Sequence, residues 1–554
     1  MKIALIGTNI VPKSQINNPA QYNIAIYFLA AYLRNAFKHL DLNIEIIDIP
    51  ICVGMSKLPK EYEEKISKLN AHLYGFSSYC WDRDIVIKLI KQVKRNSNST
   101  IVLGGPTATF EGLRLMQENE EIDFAVVGEG EKTLVDIIRS QGDVSNLKGL
   151  IFRRGKELCF NGHIEPVENL DLLPSPFIEG LLKPRETNLM LGFSRGCSNK
   201  CKHCAWKSTG GGIRYFSKKR VRQELMWAKQ NNYRHIFIYD SAINSNTERL
   251  KELIWAVKSC KLNPDLSFTY FVDHFRWNNI HKELLKNINA RCILVGLESV
   301  SREASLSLGR RPVDKSHFMK FVDSITDVGP IMISVMFGIP TETGRDFKNT
   351  IDYVINLVEK FGREKIIGIR IFWTIVTPGS RLSYEVGKYN IQYSLRGMPY
   401  VLSSGVFSRD DMISSLEYIQ DHPYKELFIW EDINPKVFYN EIKSFDLLPE
   451  CRERYIRKNI INLKGLIPTC TIGSLYYKSW RLDSIEYEHE YPVLKFRNQS
   501  DNNLIILKIY NKIANGPFNS KKYSILVGND MNPRYNQDLK GICSKLLAEI
   551  SRNE

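Results

Sequence analysis

The sequence predicts two successive α/β domains, the first a doubly wound parallel sheet and the second a partial barrel of six βα units. Three observations carry that expectation. Short apolar runs alternate with amphipathic stretches of helical length from residue 1 to about 140, and the alternation resumes from Asn188 to about Gly379. Strands alternating with helices imply parallel sheets. A proline-bearing stretch with little periodicity separates the two blocks, and three clustered cysteines open the second. At 554 residues the chain exceeds one core, and its length suggests about three or four domains.

In the first block, Lys2 to Gly7, Asn43 to Ile49, His72 to Ser77, Thr100 to Leu103 and Asp123 to Val127 read as strands. Ala20 to Lys38 and Asp82 to Arg95 read as helices. Ligands of such sheets sit beyond the carboxyl ends of the strands. Three loops fall there: Ser77-Ser78-Tyr79-Cys80-Trp81, Gly104-Gly105-Pro106-Thr107 and Gly128-Glu129-Gly130-Glu131. Paired glycines let backbone approach a ligand closely, and Ser and Thr offer small hydrogen-bonding groups. Residues 149–187 carry Pro166, Pro174, Pro176 and Pro184 and read as a linker.

In the second block, Leu189 to Phe193, His235 to Tyr239, Leu266 to Phe271, Cys292 to Leu297, Ile331 to Phe337 and Ile366 to Trp373 read as strands. The first leads into Gly196-Cys197-Ser198-Asn199-Lys200-Cys201-Lys202-His203-Cys204. A loop with C-x3-C-x2-C spacing can bring three thiolates onto one corner. Soft thiolates select zinc or iron–sulfur clusters, and a structural zinc is closed by four protein ligands. With no second cysteine pair nearby, three thiolates on a four-iron, four-sulfur (4Fe-4S) cluster would leave one iron open; a zinc site or unrelated thiols are the plainer readings. Polar residues recur at the later strand ends: Asp240-Ser241, Gly296-Leu297-Glu298-Ser299, and Gly338-Ile339-Pro340-Thr341-Glu342-Thr343. Barrel active sites lie at that end.

These residues resemble the radical SAM superfamily, whose C-x3-C-x2-C loop binds a 4Fe-4S cluster with S-adenosyl-L-methionine (SAM) on the fourth iron. The resemblance makes Cys197, Cys201 and Cys204 the metal ligands and puts His203 by the adenine. It assigns Asp240 and Ser241 to the SAM amino group and Glu298 and Ser299 to the ribose or carboxylate motif. Arg310, beside Arg311, would pair with the carboxylate, and Gly338 joins the SAM set. Thr377-Pro378-Gly379-Ser380-Arg381-Leu382 is similar to the end of the barrel in that family, and Asn169 to Pro176 to its interdomain segment.

The first block is similar to the flavodoxin/Rossmann-like cobalamin-binding domain in front of many radical SAM domains. That likeness implies corrinoid contacts from Ser77, Ser78, Tyr79, Trp81, Gly104, Gly105, Pro106, Gly128 and Glu129. The D-x-H-x-x-G motif is absent, so the corrinoid is expected without a histidine on cobalt, its lower face covered by Tyr79, Cys80 or Trp81. A flavodoxin-like domain kept for packing or a partner is the alternative. The expected organisation is a cobalamin-binding-like domain at 1–148, the linker at 149–187, a radical SAM core at 188–388 and a substrate-specifying domain at 389–554. In relatives this last region is mostly α. Aromatics crowd Phe407 to Trp430, a charged helical stretch runs through Cys451 to Arg457, and alternation from Tyr491 suggests a small α/β appendage.

The family resemblance implies an enzyme, with C-methylation of an unactivated carbon as the leading activity. A cobalamin-dependent cyclisation or rearrangement is the first alternative, and a metal-stapled RNA- or peptide-binding protein the second. A small-molecule or peptide substrate and an external electron donor such as flavodoxin or ferredoxin are the implied partners. The tRNA methylthiotransferases carry further cluster cysteines, for which Cys52, Cys80 and Cys159 lack the context.

Apolar content of 43% and charged content of 25% are ordinary for a globular protein. The formal charge of +15 permits a polyanionic partner, but the basic residues are scattered beyond short runs such as Lys218-Lys219-Arg220, so a solvated surface is expected rather than a nucleic-acid site. Eleven cysteines make no disulfide scaffold at this length, and clustered thiols need a reducing cytoplasm. Cys451, Cys470 and Cys543 read as plain thiols. Met1 to Gly7 is too short for a signal peptide, and no window approaches the roughly 18 apolar residues of a membrane span. A soluble cytoplasmic protein with no membrane partner is therefore expected.

Overall fold

The strands of both blocks are mostly apolar because a parallel strand covered by helices buries much of both faces. A computed structural model of the chain describes residues 1–11, 22–52, 58–155, 157–182, 188–206, 212–394 and 398–431, with the backbone of strands between 476 and 527. Contacts divide it into one unit of Met1–Asp143 with His163–Asn440, and a second of Val144–Gly162 with Glu441–Glu554.

The first unit opens with β1 (Lys2–Ile10), α1 (Ile24–Ala36), β2 (Asn43–Ile51), α2 (Lys60–Ser67), β3 (Leu73–Ser77), α3 (Arg83–Asn96), β4 (Thr100–Gly104), α4 (Gly105–Glu118), β5 (Phe124–Val126) and α5 (Gly130–Arg139). The strands pair in parallel in the order β2-β1-β3-β4-β5. That order reverses at β1, as in doubly wound flavodoxin-like sheets. The register aligns Gly7 with Ser77 and Ser77 with Gly104, so the expected loops leave the sheet along one edge. Helix α3 turns Ile85, Val86, Leu89, Ile90 and Val93 inward, one stripe of a helix with period 3.6.

Residues 150–160, inside the stretch expected as a linker, instead form a hairpin of β6 (Leu150–Arg154) and β7 (Glu157–Phe160) that belongs to the second unit.

The barrel follows: β8 (Asn188–Leu191), the short antiparallel pair β9 (Ser194–Arg195) and β10 (Arg214–Tyr215), α6 (Lys218–Gln230), β11 (His235–Ile238), α7 (Thr247–Cys260), β12 (Ser267–Val272), α8 (Asn279–Leu285), β13 (Ala290–Glu298), α9 (Arg302–Ser307), α10 (Lys315–Ile325), β14 (Ile331–Phe337), α11 (Gly344–Phe361) and β15 (Ile366–Trp373). All six expected strands are present and run parallel. They continue into a seventh, β18 (Phe428–Glu431), so that the order is β18-β15-β14-β13-β12-β11-β8, an arc whose two ends are different strands. Before β18 come α12 (Arg381–Tyr384), β16 (Gln392–Tyr393), β17 (Val401–Ser403) and α13 (Arg409–Asp421). Reciprocal capping boxes start α11 at Thr343 with Asp346 and α13 at Ser408 with Asp411. Tyr270, Phe268, Phe318, Phe337, Phe347 and Phe407 fill the core.

In the second unit, β19 (Tyr476–Tyr477), β20 (Trp480–Glu488), β21 (Tyr491–Asn498), β22 (Leu504–Asn511), β24 (Phe518–Asn519) and β25 (Tyr523–Val527) form an antiparallel sheet, and β23 (Ile513–Ala514) pairs with β7. The expected appendage thus has its strands, beginning earlier than Tyr491. The helical stretch Cys451 to Arg457, the expected terminal helix, and Cys451, Cys470 and Cys543 lie outside the described residues. Among the described residues no helix is long and apolar enough to cross a membrane.

Candidate active site

The cysteine loop is pinned by backbone on both sides. Gly196 has φ +95°, and a Cβ there would lie 2.7 Å from the Gly212 carbonyl oxygen, so the turn into the loop requires glycine. In mid-loop, the Lys202 amide donates to the Leu308 carbonyl at 2.8 Å, and the Lys202 carbonyl accepts from the Leu382 amide at 2.7 Å. The Lys202 ammonium reaches Glu385 at 2.7 Å. The turn after α9 and the start of α12 therefore hold one loop residue between them.

So held, the three thiols line one wall of a cavity of about 680 Å³ at the carboxyl ends of the barrel strands. Each sulfur receives one N–H group: the Asn199 amide at Cys197 (3.4 Å), the Trp206 amide at Cys204 (3.4 Å) and the Arg310 guanidinium at Cys201 (3.6 Å). Such bonds stabilise cluster thiolates. Burial pushes the Cys204 thiol up to about 11, a preference that metal coordination overrides. Among the described residues no three His, Cys, Asp or Glu side chains are grouped to hold a single metal ion. A cavity wall carrying three separately bonded thiols fits a polynuclear cluster better than one zinc.

His203, Asp240, Ser241, Glu298 and Arg310 line this cavity with the cysteines. His203 keeps Nδ1 buried without a partner, and burial with the Arg310 charge holds its ring at about 3, hence neutral. Asp240 does something other than expected. Its carboxylate accepts from the Phe193 amide (2.7 Å), the Ser194 amide (3.2 Å) and the Ser194 hydroxyl (2.8 Å), so it fixes the strand leading into the cysteine loop. Burial nevertheless pushes its carboxyl up to about 6.

Glu298 ends β13 beside a register shift, with φ +65°. It pairs with Arg310 at 3.4 Å, while Arg310 also donates to the Gly296 carbonyl at 2.9 Å. Burial raises the Glu298 carboxyl, and the Arg310 and Arg370 charges oppose the rise. A Cβ at Gly296 would sit 2.5 Å from Glu298 Oε1, so the glycine makes room for the carboxylate. Here Arg310 therefore engages Glu298 and Cys201 rather than standing free for a carboxylate.

Two expected SAM residues are away from the wall. Ser299 is buried, donates to Glu342 at 2.5 Å and accepts from the Ser301 amide at 3.0 Å, which braces the turn after Glu298. Gly338 has φ +79° and packs against Met412, Trp373 and Val401, so it serves the backbone turn.

The doubly wound sheet contributes a second cavity, of about 300 Å³, lined among others by Ser77, Tyr79, Gly104, Gly105, Pro106, Gly128 and Glu129. Gly105 has φ +86°, and a Cβ there would meet the Ser78 carbonyl at 2.6 Å. Ser78 itself points inward, to Asp82 at 2.9 Å, and is not on the wall. Buried Asp82 also accepts from Thr8 (2.5 Å) and the Tyr79 amide (2.7 Å), and so shapes this loop. Burial pushes its carboxyl up to about 7. Trp81 lines the barrel cavity instead, with its ring stacked on Tyr79 at 4.4 Å.

Glu129 is on the wall, but its carboxylate is taken up by Arg214 (2.7 and 3.0 Å), Arg195 (3.2 Å) and the Val167 amide (2.9 Å). Arg195 also pairs with Glu131 at 2.6 Å. Since Arg195 immediately precedes Gly196, the Gly128–Glu131 loop is bolted to the stem of the cysteine loop. Tyr79, Pro106, Trp206 and Tyr239 line both cavities, which makes them neighbouring compartments.

Sequence reading missed Asp82, Arg195 and Arg214, along with the apolar wall of Met336, Phe372, Trp373, Met398 and Tyr400. The ends of β14 and β15 were a usable signal for the first three wall residues. Nothing in the spacing marks Met398 or Tyr400.

A family model described as B12 binding domain matches residues 20–138, and one described as Radical SAM superfamily matches residues 191–354. The chain is 27% identical over 344 residues to an uncharacterised methyltransferase of Pyrococcus horikoshii, spanning 59% of this chain and 70% of that protein. The fold is similar to that of TsrM from Kitasatospora setae, a radical SAM methyltransferase solved with tryptophan substrate and a SAM analogue, at 16% identity, TM-score 0.55, and coverage of 70% of this chain and 76% of the other. It is also similar to OxsB, a cobalamin-dependent SAM radical enzyme solved with aqua-cobalamin and SAM, at 15% identity, TM-score 0.59, and coverage of 85% and 73%.

Proposed function

Because the chain belongs to the radical SAM enzymes that carry a cobalamin-binding domain, we propose that it transfers a methyl group from SAM to an unactivated carbon. The observation that carries this reading is the shared wall: the cobalamin-side cavity and the cysteine-lined cavity meet at Tyr79, Pro106, Trp206 and Tyr239. Methyl transfer needs the two cofactors to serve one substrate carbon, which neighbouring compartments allow.

When bound, the cluster and cobalamin supply one-electron cleavage of SAM and a transferable methyl group. The protein binds, orients and excludes water. Cys197, Cys201 and Cys204 would hold the cluster, with the Asn199, Trp206 and Arg310 donors stabilising their thiolates. His203, Ser241 and the Glu298–Arg310 pair would contact SAM, and Asp240 would keep the loop in place beneath it. Ser77, Gly104, Gly105, Pro106 and Gly128 would take the corrinoid's side, with the stacked Tyr79 and Trp81 facing the barrel. The reduced cytoplasm is the setting this chemistry requires, with flavodoxin or ferredoxin as the class of electron donor.

The test reads reaction type before the substrate is known. Methylation consumes two SAM molecules, giving S-adenosylhomocysteine and 5′-deoxyadenosine together, with the SAM methyl label on a substrate carbon. Anaerobic protein with SAM, reductant, cobalamin and an extract of candidate substrates should yield both products in similar amounts. Deoxyadenosine without adenosylhomocysteine would replace methylation with a cyclisation or rearrangement.

A further inference from the structure

We propose that the part of the substrate entering the barrel cavity is an uncharged, hydrocarbon-rich group, selected by the wall of Met336, Phe372, Trp373, Ile375, Met398 and Tyr400. The inference rests on the methyl-transfer reading and names the substrate class for that site.

The cavity's charged groups divide by side. On the cysteine side every acid is already engaged. Asp240 holds the loop stem, Glu298 pairs with Arg310, and Asp273 accepts from the Asn199 amide group (3.4 Å) and the Phe275 amide (3.0 Å) and pairs with Arg276 (3.3 Å). On the opposite side, formed by the ends of β14 and β15 and the segment after them, no charged residue is among the described residues lining the cavity. The Trp373 indole N–H there is taken by the Val401 carbonyl at 2.7 Å.

A charged group entering against that side would lose its hydration and meet no charged side chain in the lining, since Arg370, 4.8 Å from the Phe372 ring, is off the cavity wall; such desolvation costs several kcal/mol in a protein interior. An alkyl or aromatic group would gain dispersion contacts with thioethers and rings instead, and methionines adapt to irregular shapes. The chemistry agrees, because an unactivated carbon is by definition part of a hydrocarbon environment. At about 680 Å³ the space falls in the range of small-molecule sites.

Apart from the Trp373 indole bond, this wall is held by backbone. The Val376 amide donates to Pro399 at 2.8 Å and the Val401 amide to Thr374 at 2.9 Å, with an antiparallel bridge between Ile375 and Tyr400. Met398 and Tyr400 are thus presented by a strand-like strap, so their side chains can be changed while the strap stays in place.

The probes are 2-naphthol, neutral at working pH, and 2-naphthoate, its anionic counterpart, titrated by fluorescence into full-length protein loaded anaerobically with cluster and cobalamin. Naphthol should bind at least tenfold more tightly than naphthoate. Met398→Glu should weaken naphthol at least tenfold, with iron and cobalamin content unchanged, and Met398→Leu should leave it near the parent value. Half-buried Phe372→Glu gives the same readout should Met398→Glu fail to fold. A preference below tenfold, or naphthol binding insensitive to both charged variants, overturns the proposal. Absent SAM cleavage with the naphthol preference intact would overturn the methyl-transfer reading alone.

Discussion

Replacing Glu129 by Gln would remove the one carboxylate that meets two arginines at the root of the cysteine loop. Glu129, Arg195 and Arg214 have side chains only 15%, 24% and 8% exposed. Glutamine keeps one acceptor oxygen, so it surrenders guanidinium contacts and leaves Arg214 without a counter-charge. Hydrogen bonds to charged groups contribute about 1.5–3 kcal/mol each, and removing one partner of a buried pair costs about 3–5 kcal/mol. With some solvent access at Arg195, about 3 kcal/mol is a reasonable expectation, or a melting midpoint lower by roughly 6 °C at the ~2 °C per kcal/mol of larger domains. The pH dependence has a definite sign. Burial works to raise the Glu129 carboxyl, but the Arg214 and Arg195 guanidiniums and the Val167 amide hold it below its ordinary 4.5. A depressed carboxyl stabilises the fold above its unfolded value and stops doing so as pH falls through its folded value. The deficit of Glu129→Gln should therefore be full at neutral pH and shrink below about 4.5. Scanning fluorimetry across that range, paired with a cobalamin titration, makes the measurement. A variant that melts with the parent at neutral pH, or whose deficit persists unchanged in acid, would refute the reasoning.

Substituting Cys197, Cys201 and Cys204 together by Ala should abolish iron uptake on anaerobic reconstitution and all SAM cleavage; iron analysis showing about four irons per chain, the content of a 4Fe-4S cluster, would contradict the assignment. Arg310→Gln removes a positive N–H donor from Cys201, and the cluster should become harder to reduce, with the reduced-to-oxidised ratio at fixed potential falling about tenfold, near 59 mV for one electron. A redox titration followed by electron paramagnetic resonance reads that shift. Gly105→Ala must leave the left-handed region, at about 1–2 kcal/mol, or push back the Ser78 carbonyl. Cobalamin affinity should drop at least tenfold while iron content holds, as absorbance titration and iron assay would show.

The strand positions were readable because both sheets are parallel, and buried parallel strands announce themselves as largely apolar runs such as Ile3 to Ile6 and Ile331 to Phe337. The cysteine loop was readable because metal ligation imposes spacing within nine residues, from Gly196 to Cys204. What escaped was set by contacts between distant segments. Glu129 reaches Arg214 across 85 residues and Arg195 across 66, and such ion pairs leave no periodic trace. Glu129 and Asp240, read as ligand contacts at strand ends, do line the two cavities, but their bonds to Arg195 and Arg214 and to Phe193 and Ser194 have no trace in the spacing. Ser299 and Gly338 sit at the right strand ends yet turn away from the cavity, a choice made by the Glu342 hydrogen bond and by a positive φ. Strand β18 was hidden in an aromatic stretch, where Phe428 and Trp430 pack and pair beside β15 without a period of their own.

The partition between the two compartments also bears on re-engineering. Tyr79 and Trp81 are stacked, Tyr239 fills the gap above Gly192 so closely that a Cβ there would lie 2.3 Å from its ring, and Trp206 leaves almost half its surface to solvent. Trimming Tyr79 or Tyr239 to admit a bulkier substrate would therefore enlarge the cavity of the doubly wound domain by the same stroke. Trimming Met398 or Phe372, on the opposite wall, would not. Selection for altered substrate scope should accordingly gather its changes on the side fed by β14, β15 and the strap, and leave the aromatic septum alone.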